Sequence, residues 1–157
     1  MPNKITPFLW FDGQAEEAAR FYASIFKNSK VGTITRYGDG GHGPKGTVMT
    51  VSFTIEGHAF TALNGGPIYK ITPAVSFVVN CKTQKELDRY WDKLGAGGKP
   101  IQCGWLEDKF GVSWQIVPAV LFKWISDTNP AKSNRVMQAL LQMVKLDIKK
   151  LQDAYRG

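Results

Sequence analysis

Sliding the chain against itself by 69 positions brings Phe8 onto Phe77, Glu17 onto Glu86, Arg20 onto Arg89 and Lys30 onto Lys99, with no gap. The same offset pairs Leu9 with Val78, Phe21 with Tyr90, Tyr22 with Trp91 and Ile25 with Leu94, so similar residues recur at apolar positions of both copies. A duplicated unit constrains the fold more than any local propensity, because each copy must build the same elements in the same order.

The elements are readable within each copy. Ile5 to Phe11 and Ala74 to Val79 are short runs rich in aromatic and β-branched residues, which predicts strands. A helix follows each. In the first, Ala15, Ala18, Ala19, Tyr22 and Phe26 form the apolar face, with Asp12 as the expected cap. In the second, Thr83 and Glu86 form a capping box ahead of Leu87, Tyr90, Trp91 and Leu94. Lys30 to Tyr37, Thr47 to Glu56 and His58 to Asn64 read as three further strands, the last two joined by a tight turn at Glu56-Gly57-His58. The glycine-rich stretch Gly38 to Gly46 cannot hold regular structure and reads as a flexible flap.

In the second copy, Lys99 to Leu106 has to hold two short strands before the hairpin Glu107 to Pro118. Asp108 to Gly111 predicts its turn, since Asp accepts bonds from nearby backbone amides and Gly tolerates positive φ. Val112, Trp114 and Ile116 then alternate with Ser113, Gln115 and Val117, the pattern of a strand packed by a helix on one face and lining something more polar on the other. Trp114, Trp91, Tyr90, Phe77 and Trp10 fall on the expected helix-packing faces, and Trp105 is a candidate pocket wall. The chain thus reads as one α+β domain over 1–157, with β-α-β-β-β units at 5–66 and 73–118, the second abbreviated, and helices over 119–157. Leu121 to Ile125 predicts a short helix and Asn129-Pro130 a break. From Lys132 on, Val136, Leu140, Met143 or Val144, Ile148, Leu151 and Tyr155 predict one long amphipathic helix that buries its stripe on its own sheet or on a second subunit.

Composition narrows the function classes. A chain of 157 residues with 43% hydrophobic residues can bury its own core. No apolar run approaches the roughly 20 residues of a bilayer span, and the first residues lack the order of a secretory signal, so a cytoplasmic protein without membrane contact is expected. Cys81 and Cys103 form no metal or redox motif and read as ordinary thiols. The net charge of +7 invites a nucleic-acid partner, but the basic residues are scattered. Their densest group, Lys145, Lys149, Lys150 and Arg156, interleaves with Leu146, Ile148 and Leu151 as the solvated side of a helix, so no nucleic acid is expected.

The paired units and the run Asp-Lys-Phe-Gly-Val-Ser-Trp-Gln-Ile resemble the vicinal oxygen chelate superfamily, which includes glyoxalase I, bleomycin-resistance proteins and extradiol dioxygenases. Cys103-Gly104-Trp105-Leu106, Ala62-Leu63-Asn64-Gly65-Gly66-Pro67, Asp88-Arg89-Tyr90-Trp91 and Arg135-Val136-Met137-Gln138-Ala139 resemble the PhnB-like, or demethylubiquinone methyltransferase-like, group more narrowly. The resemblance implies that the units curl a mixed sheet around a cup, where metal-using members draw four His or Glu ligands from the first and last strands of each unit. The corresponding positions here are Pro7, Ser76, Gln115 and either Asn64 or Ala62. None offers the imidazole or carboxylate that zinc, iron or nickel favours, so no metal is expected. His42 and His58 lie in a loop and a turn and read as solvent-facing.

A metal-free cup lined by Pro7, Leu9, Phe11, Asn64, Ser76, Val78, Ser113 and Gln115 would be an apolar pocket with a few orienting hydrogen bonds. The alternative is that those polar groups only satisfy one another. S-adenosylmethionine is implied solely by the group's description, because no glycine-rich strand-to-helix loop with an acidic ribose partner is present. The expected function is binding of a small, partly apolar molecule, by a binding protein or a metal-independent enzyme, and the resemblance to the group implies a link to methyl transfer on a quinone-like substrate. The alternatives are a sequestering, antibiotic-resistance-like module or a metal-dependent lyase or dioxygenase. A homodimer is expected, and the catalytic residues, ligand and pathway stay open.

Overall fold

Burial alternates along β1 and through parts of β3, β4 and β5, and which residues alternate inward decides where a site can lie. The computed structural model describes residues 3–157 and divides into two units, one ending at Ile71 and one beginning at Thr72. In the first unit, β1 (Phe8–Phe11), α1 (Ala15–Ile25), β2 (Lys30–Arg36), β3 (Val48–Ile55) and β4 (His58–Asn64) follow in order. The sheet runs β1-β4-β3-β2, with β1 parallel to β4 and the other pairs antiparallel.

α1 lies on the face that carries Val51, Phe53, Ile55, Phe60 and Ala62. Tyr22 stacks on Phe53 with ring centroids 6.0 Å apart, and Phe53 stacks on Phe60 at 5.3 Å. Leu9 is in register with Ala62 and Ala62 with Val51, so Leu9 and Phe11 belong to this core, 9% and 3% exposed. Phe8, Trp10, Thr61 and Leu63 are on the opposite face.

The second unit repeats the plan with β5 (Ser76–Cys81), α2 (Gln84–Gly95), β6 (Lys99–Pro100), β7 (Trp105–Glu107) and β8 (Ser113–Pro118), in the order β5-β8-β7-β6. Here Phe77, Val79 and Cys81 turn towards α2 together with Leu106, Trp114 and Ile116. Inward residues therefore match between the units at an offset of 70 in the strands, Leu9 with Val79 and Phe11 with Cys81. The helices keep the offset of 69. The difference is one residue in the connection: Asp12-Gly13-Gln14 joins β1 to α1, whereas Lys82-Thr83 suffices after β5. Gly13, at φ 86°, takes up the extra step. A one-residue slip sends every side chain of a strand to the other face, so Leu9 and Phe11 are core rather than pocket and Trp10 faces away from its helix.

The helix starts also differ from expectation in part. Thr83 Oγ accepts from Glu86 N at 3.2 Å, as the capping box requires, while the Glu86 carboxylate accepts from Lys82 N at 2.7 Å. Asp12 does not cap α1. That role belongs to Asn64 at the end of β4, whose Oδ1 accepts from Ala15 N at 2.8 Å and whose Nδ2 donates to Val48 O at 3.1 Å.

The C-terminal stretch forms α3 (Leu121–Ile125), α4 (Pro130–Leu141) and α5 (Ile148–Arg156) rather than one long helix after the break. Asn129 caps α4 through Ala131 N, with Pro130 in its first turn, and Asp147 caps α5 through Lys150 N. α4 and α5 pack on each other and bury Val136, Leu140, Leu146 and Leu151. The apolar stripe is therefore covered in part within the unit, while Val144 stays exposed. Gln84 ties the group to α2, donating to Leu146 O at 3.0 Å and accepting from Ile148 N at 2.8 Å. Lys145 pairs with Asp88 and Lys149 with Asp153, so part of the basic cluster is salt-bridged on the helix surface. No helix among the described residues is long and apolar enough to cross a membrane.

Candidate functional site

The face of the second sheet turned away from α2 brings together five of the residues singled out in the sequence. Parallel pairing sets Ser76 beside Ser113 and Val78 beside Gln115, and antiparallel pairing sets Trp105 on the other side of Gln115. Gln115 Nε2 donates to Ser76 Oγ at 2.9 Å, which fixes the amide and leaves its carbonyl oxygen open. Val78 is 40% exposed, an aliphatic patch beside that pair. Trp105 is half-buried, stacks on no other ring and makes no indole hydrogen bond among the described residues.

Ser113 is the unusual member. It is fully buried, and its Oγ has no hydrogen-bond partner among the described residues. A buried unpaired hydroxyl costs about 1–3 kcal/mol, and such groups in folded proteins ask for an explanation.

The hairpin beneath this face is rigid. Asp108, 2% exposed, accepts from Phe110 N at 2.9 Å and Val112 N at 3.0 Å through Oδ1, and from the Trp114 indole at 2.9 Å through Oδ2. Gly111, at φ 88°, closes the turn with its amide on Asp108 O. The turn was readable in the sequence, whereas the indole bond to Trp114, which holds β8 to its own hairpin, was not. Gly104 holds the neighbouring strand: a Cβ there would come within 2.9 Å of Ile116 O and of Leu146.

In the first unit the expected pocket residues do not share an open face. Leu9, Phe11 and Ala62 are buried against the α1 side, and the Asn64 side chain is engaged in capping α1. The question of Ala62 or Asn64 resolves to neither, because both point inward. Pro7 is exposed and presents its carbonyl to Thr61 N at 3.0 Å. By register, Thr61 is the counterpart of Gln115, Phe8 of Val78, and Thr6 of Ser76. Trp10 closes this face at one end. Its indole donates to Gly66 O at 2.8 Å, and its ring lies where a Cβ on Gly65 would come within 2.3 Å.

Neither the hydroxyls of Thr6 and Thr61 in the first unit nor the Ser76 hydroxyl and Gln115 amide in the second suit a divalent transition ion, which is held by imidazole, thiolate or carboxylate. Among the described residues no three His, Cys, Asp or Glu side chains converge for a metal. Nor do the residues fit a nucleotide-type cofactor at a strand-to-helix turn. Asp12-Gly13-Gln14 and Lys82-Thr83 hold one glycine between them, and side chains already occupy the first-turn amides of Ala15 and Glu86. Burial first, then the charge of Glu86, pushes the Cys81 thiol up to about 12, so it carries no nucleophilic chemistry near neutral pH.

Residues 3–117 match the family model described as 3-demethylubiquinone-9 3-methyltransferase. The Bacillus cereus PhnB protein, which bears the same family description, is 40% identical, with a TM-score of 0.68 over 74% of this chain and 100% of that one. A Pseudomonas aeruginosa protein is 23% identical with a TM-score of 0.59, over 72% and 95% of the two chains. The fosfomycin resistance protein FosX of Mesorhizobium loti is 11% identical with a TM-score of 0.50, over 73% and 89%. These last two share the fold alone. No protein of curated function matches the chain. The expected kinship with the vicinal oxygen chelate superfamily and its PhnB-like group is borne out.

Proposed function

The chain belongs to the 3-demethylubiquinone-9 3-methyltransferase family, and on that premise we propose that it binds a neutral, planar, oxygen-bearing small molecule of quinone or phenol type on the open face of its second sheet. The observation that carries this reading is the part-buried Gln115–Ser76 pair, whose amide carbonyl oxygen stays open beside Val78 and Trp105. Gln115 and Ser76 present an amide carbonyl and a hydroxyl hydrogen, which match the hydroxyl and carbonyl oxygens of such a ring. Trp105, with no ring partner of its own, supplies a stacking surface, and Val78 an aliphatic one. Glu107, next along β7 from this group, is paired with Lys99 at 3.4 Å, so its charge is compensated. A charged ligand would lose hydration here without a counter-ion, so a neutral one is favoured.

The same neutrality favours binding without turnover. Hydroxyl and amide groups can orient a ring and polarise a carbonyl, but none is placed to exchange a proton at neutral pH, as acid–base catalysis needs. Methyl transfer, named in the family description, requires a donor for which these residues supply no docking turn.

Duroquinone is a suitable probe because its fully substituted ring has no free position for attack by Cys103. A rise in melting temperature with duroquinone that is lost in Gln115→Ala and Trp105→Ala supports the reading. No rise, or one unaltered by both substitutions, sinks it. A further rise on adding S-adenosylmethionine would favour the methyl-transfer version over sequestration.

A further inference from the structure

We propose that a second site exists in the first unit: a cleft that binds a small organic cation bearing an ammonium or guanidinium group, through the carboxylate of Asp12. The cleft has a volume of about 550 Å³ and is lined by the β1–α1 turn at Asp12 and Gly13, by the β2–β3 loop from Tyr37 through His42 and Pro44 to Val48, and by Asn64 to Gly66 after β4. That volume is within the range of small-molecule sites, roughly 300–1,000 Å³.

The walls are held in place. The Tyr37 ring sits between two glycines of the loop: a Cβ on Gly41 or on Gly43 would come within 2.5 Å of it. Its hydroxyl donates to Asn64 O, and the Asn64 side chain in turn caps α1. Tyr37 N donates to Thr47 O at 2.9 Å and Gly46 N to Tyr37 O at 2.8 Å, closing the base of the loop. The stretch that the sequence suggests as a flap is thus docked on an aromatic ring, and the cleft beneath it is preformed.

Charge decides the class of ligand. The basic groups on this loop already have partners: Lys45 Nζ is 2.8 Å from Asp39, and Arg36 donates to Gly46 O at 3.1 Å. Of the lining side chains, Asp12 and His42 make no hydrogen bond or ion pair among the described residues. Asp12 is therefore an uncompensated carboxylate on a concave wall, in a protein whose net charge is +7. A cation that enters replaces the water this carboxylate loses and forms charge-assisted hydrogen bonds with it. His42 offers a ring nitrogen, and the bare peptide groups of Gly13, Gly65 and Gly66 allow close approach.

This site shares no residue with the neutral face of the second sheet, so either reading can fail without the other. The test is an NMR titration of the full chain with agmatine, read at the backbone amides of Gly13, Gly43, Gly65 and Gly66, with succinate as the anionic comparison. Saturable shifts at these amides are expected with agmatine and not with succinate. Asp12→Asn, at an exposed residue without partners among the described residues, should weaken binding at least tenfold, and Asp39→Asn by less than twofold. Gly43→Ala should also weaken it, by displacing the loop from Tyr37. No saturable shift, equal weakening by Asp12→Asn and Asp39→Asn, or the same shifts with succinate would overturn the proposal.

Discussion

The face assignment of β1 determines which residues of the first unit can meet a ligand, and truncation at neighbouring positions tests it. Leu9 is 9% exposed and in register with Ala62, which like Val51 beside it is fully buried, so Leu9→Ala opens a cavity in a row that has little freedom to close. Leu-to-Ala changes in cores cost 2–5 kcal/mol, and this setting places the loss at about 3 kcal/mol. Phe11, 3% exposed, should cost about 3–5 kcal/mol on truncation to Ala. Phe8 is 59% exposed, and only its covered two-fifths counts. Against roughly 2–3 kcal/mol for a fully buried Phe, Phe8→Ala should cost about 1 kcal/mol. Urea unfolding followed by far-UV circular dichroism, with the slope constant across variants, gives the three numbers. A loss at Phe8 equal to that at Leu9, or a loss at Leu9 below about 1 kcal/mol, would mean that the strand lies in the other register and that Leu9 lines an open face after all.

Other consequences are as direct. Asp108→Ala strands the Trp114 indole and two backbone amides, one of them buried; with hydrogen bonds to a charged acceptor worth about 1.5–3 kcal/mol and not additive, a loss of about 3–5 kcal/mol is expected in the same unfolding assay. Asn64→Ala removes the cap of α1 and should cost about 1–2 kcal/mol, whereas Asp12→Ala should be near neutral in urea melts. Cys81 should resist a thiol reagent at pH 8 in the folded protein, since a thiol with a pKa of about 12 is ionised in roughly one molecule in ten thousand, and should react once urea exposes it. Because folding raises this pKa, the neutral thiol's contribution to stability is complete below about pH 9 and falls between about pH 9 and 12; Cys81→Ala should flatten the stability profile in that window.

Much of the architecture was legible because period and punctuation agree. The helices share an uninterrupted offset, His58 to Asn64 is bounded by a Gly turn and a Gly pair, and Asp108 with Gly111 announces the hairpin. The second sheet's open face was legible too, since Ser76 and Val78 on one strand and Ser113 and Gln115 on the other alternate with the apolar residues that face the helix. The first strand gave no such guide. Phe8-Leu9-Trp10-Phe11 is apolar throughout, so neither face is marked, and carrying the helix offset into the strand reversed it by one residue. Asn64 misled for a different reason: an amide at a strand end suits a pocket or a cap, and its partner, Ala15, is 49 residues away in sequence. The split between α4 and α5 lacks Gly or Pro. Its sequence mark is Asp147, an acceptor three residues before Lys150, set within a stripe that otherwise keeps helical period.

The central claim, that the neutral polar group on the second sheet is a ligand site, is tested most directly by the side-chain amide resonances of Gln115 during a titration with duroquinone. The Gln115 Nε2 protons should shift saturably, with a smaller shift in Ser76→Ala, which removes the bond that orients the amide, and with loss of affinity in Trp105→Ala. Gln115 resonances unmoved at saturating duroquinone, while other residues shift, would place the site elsewhere and contradict the account.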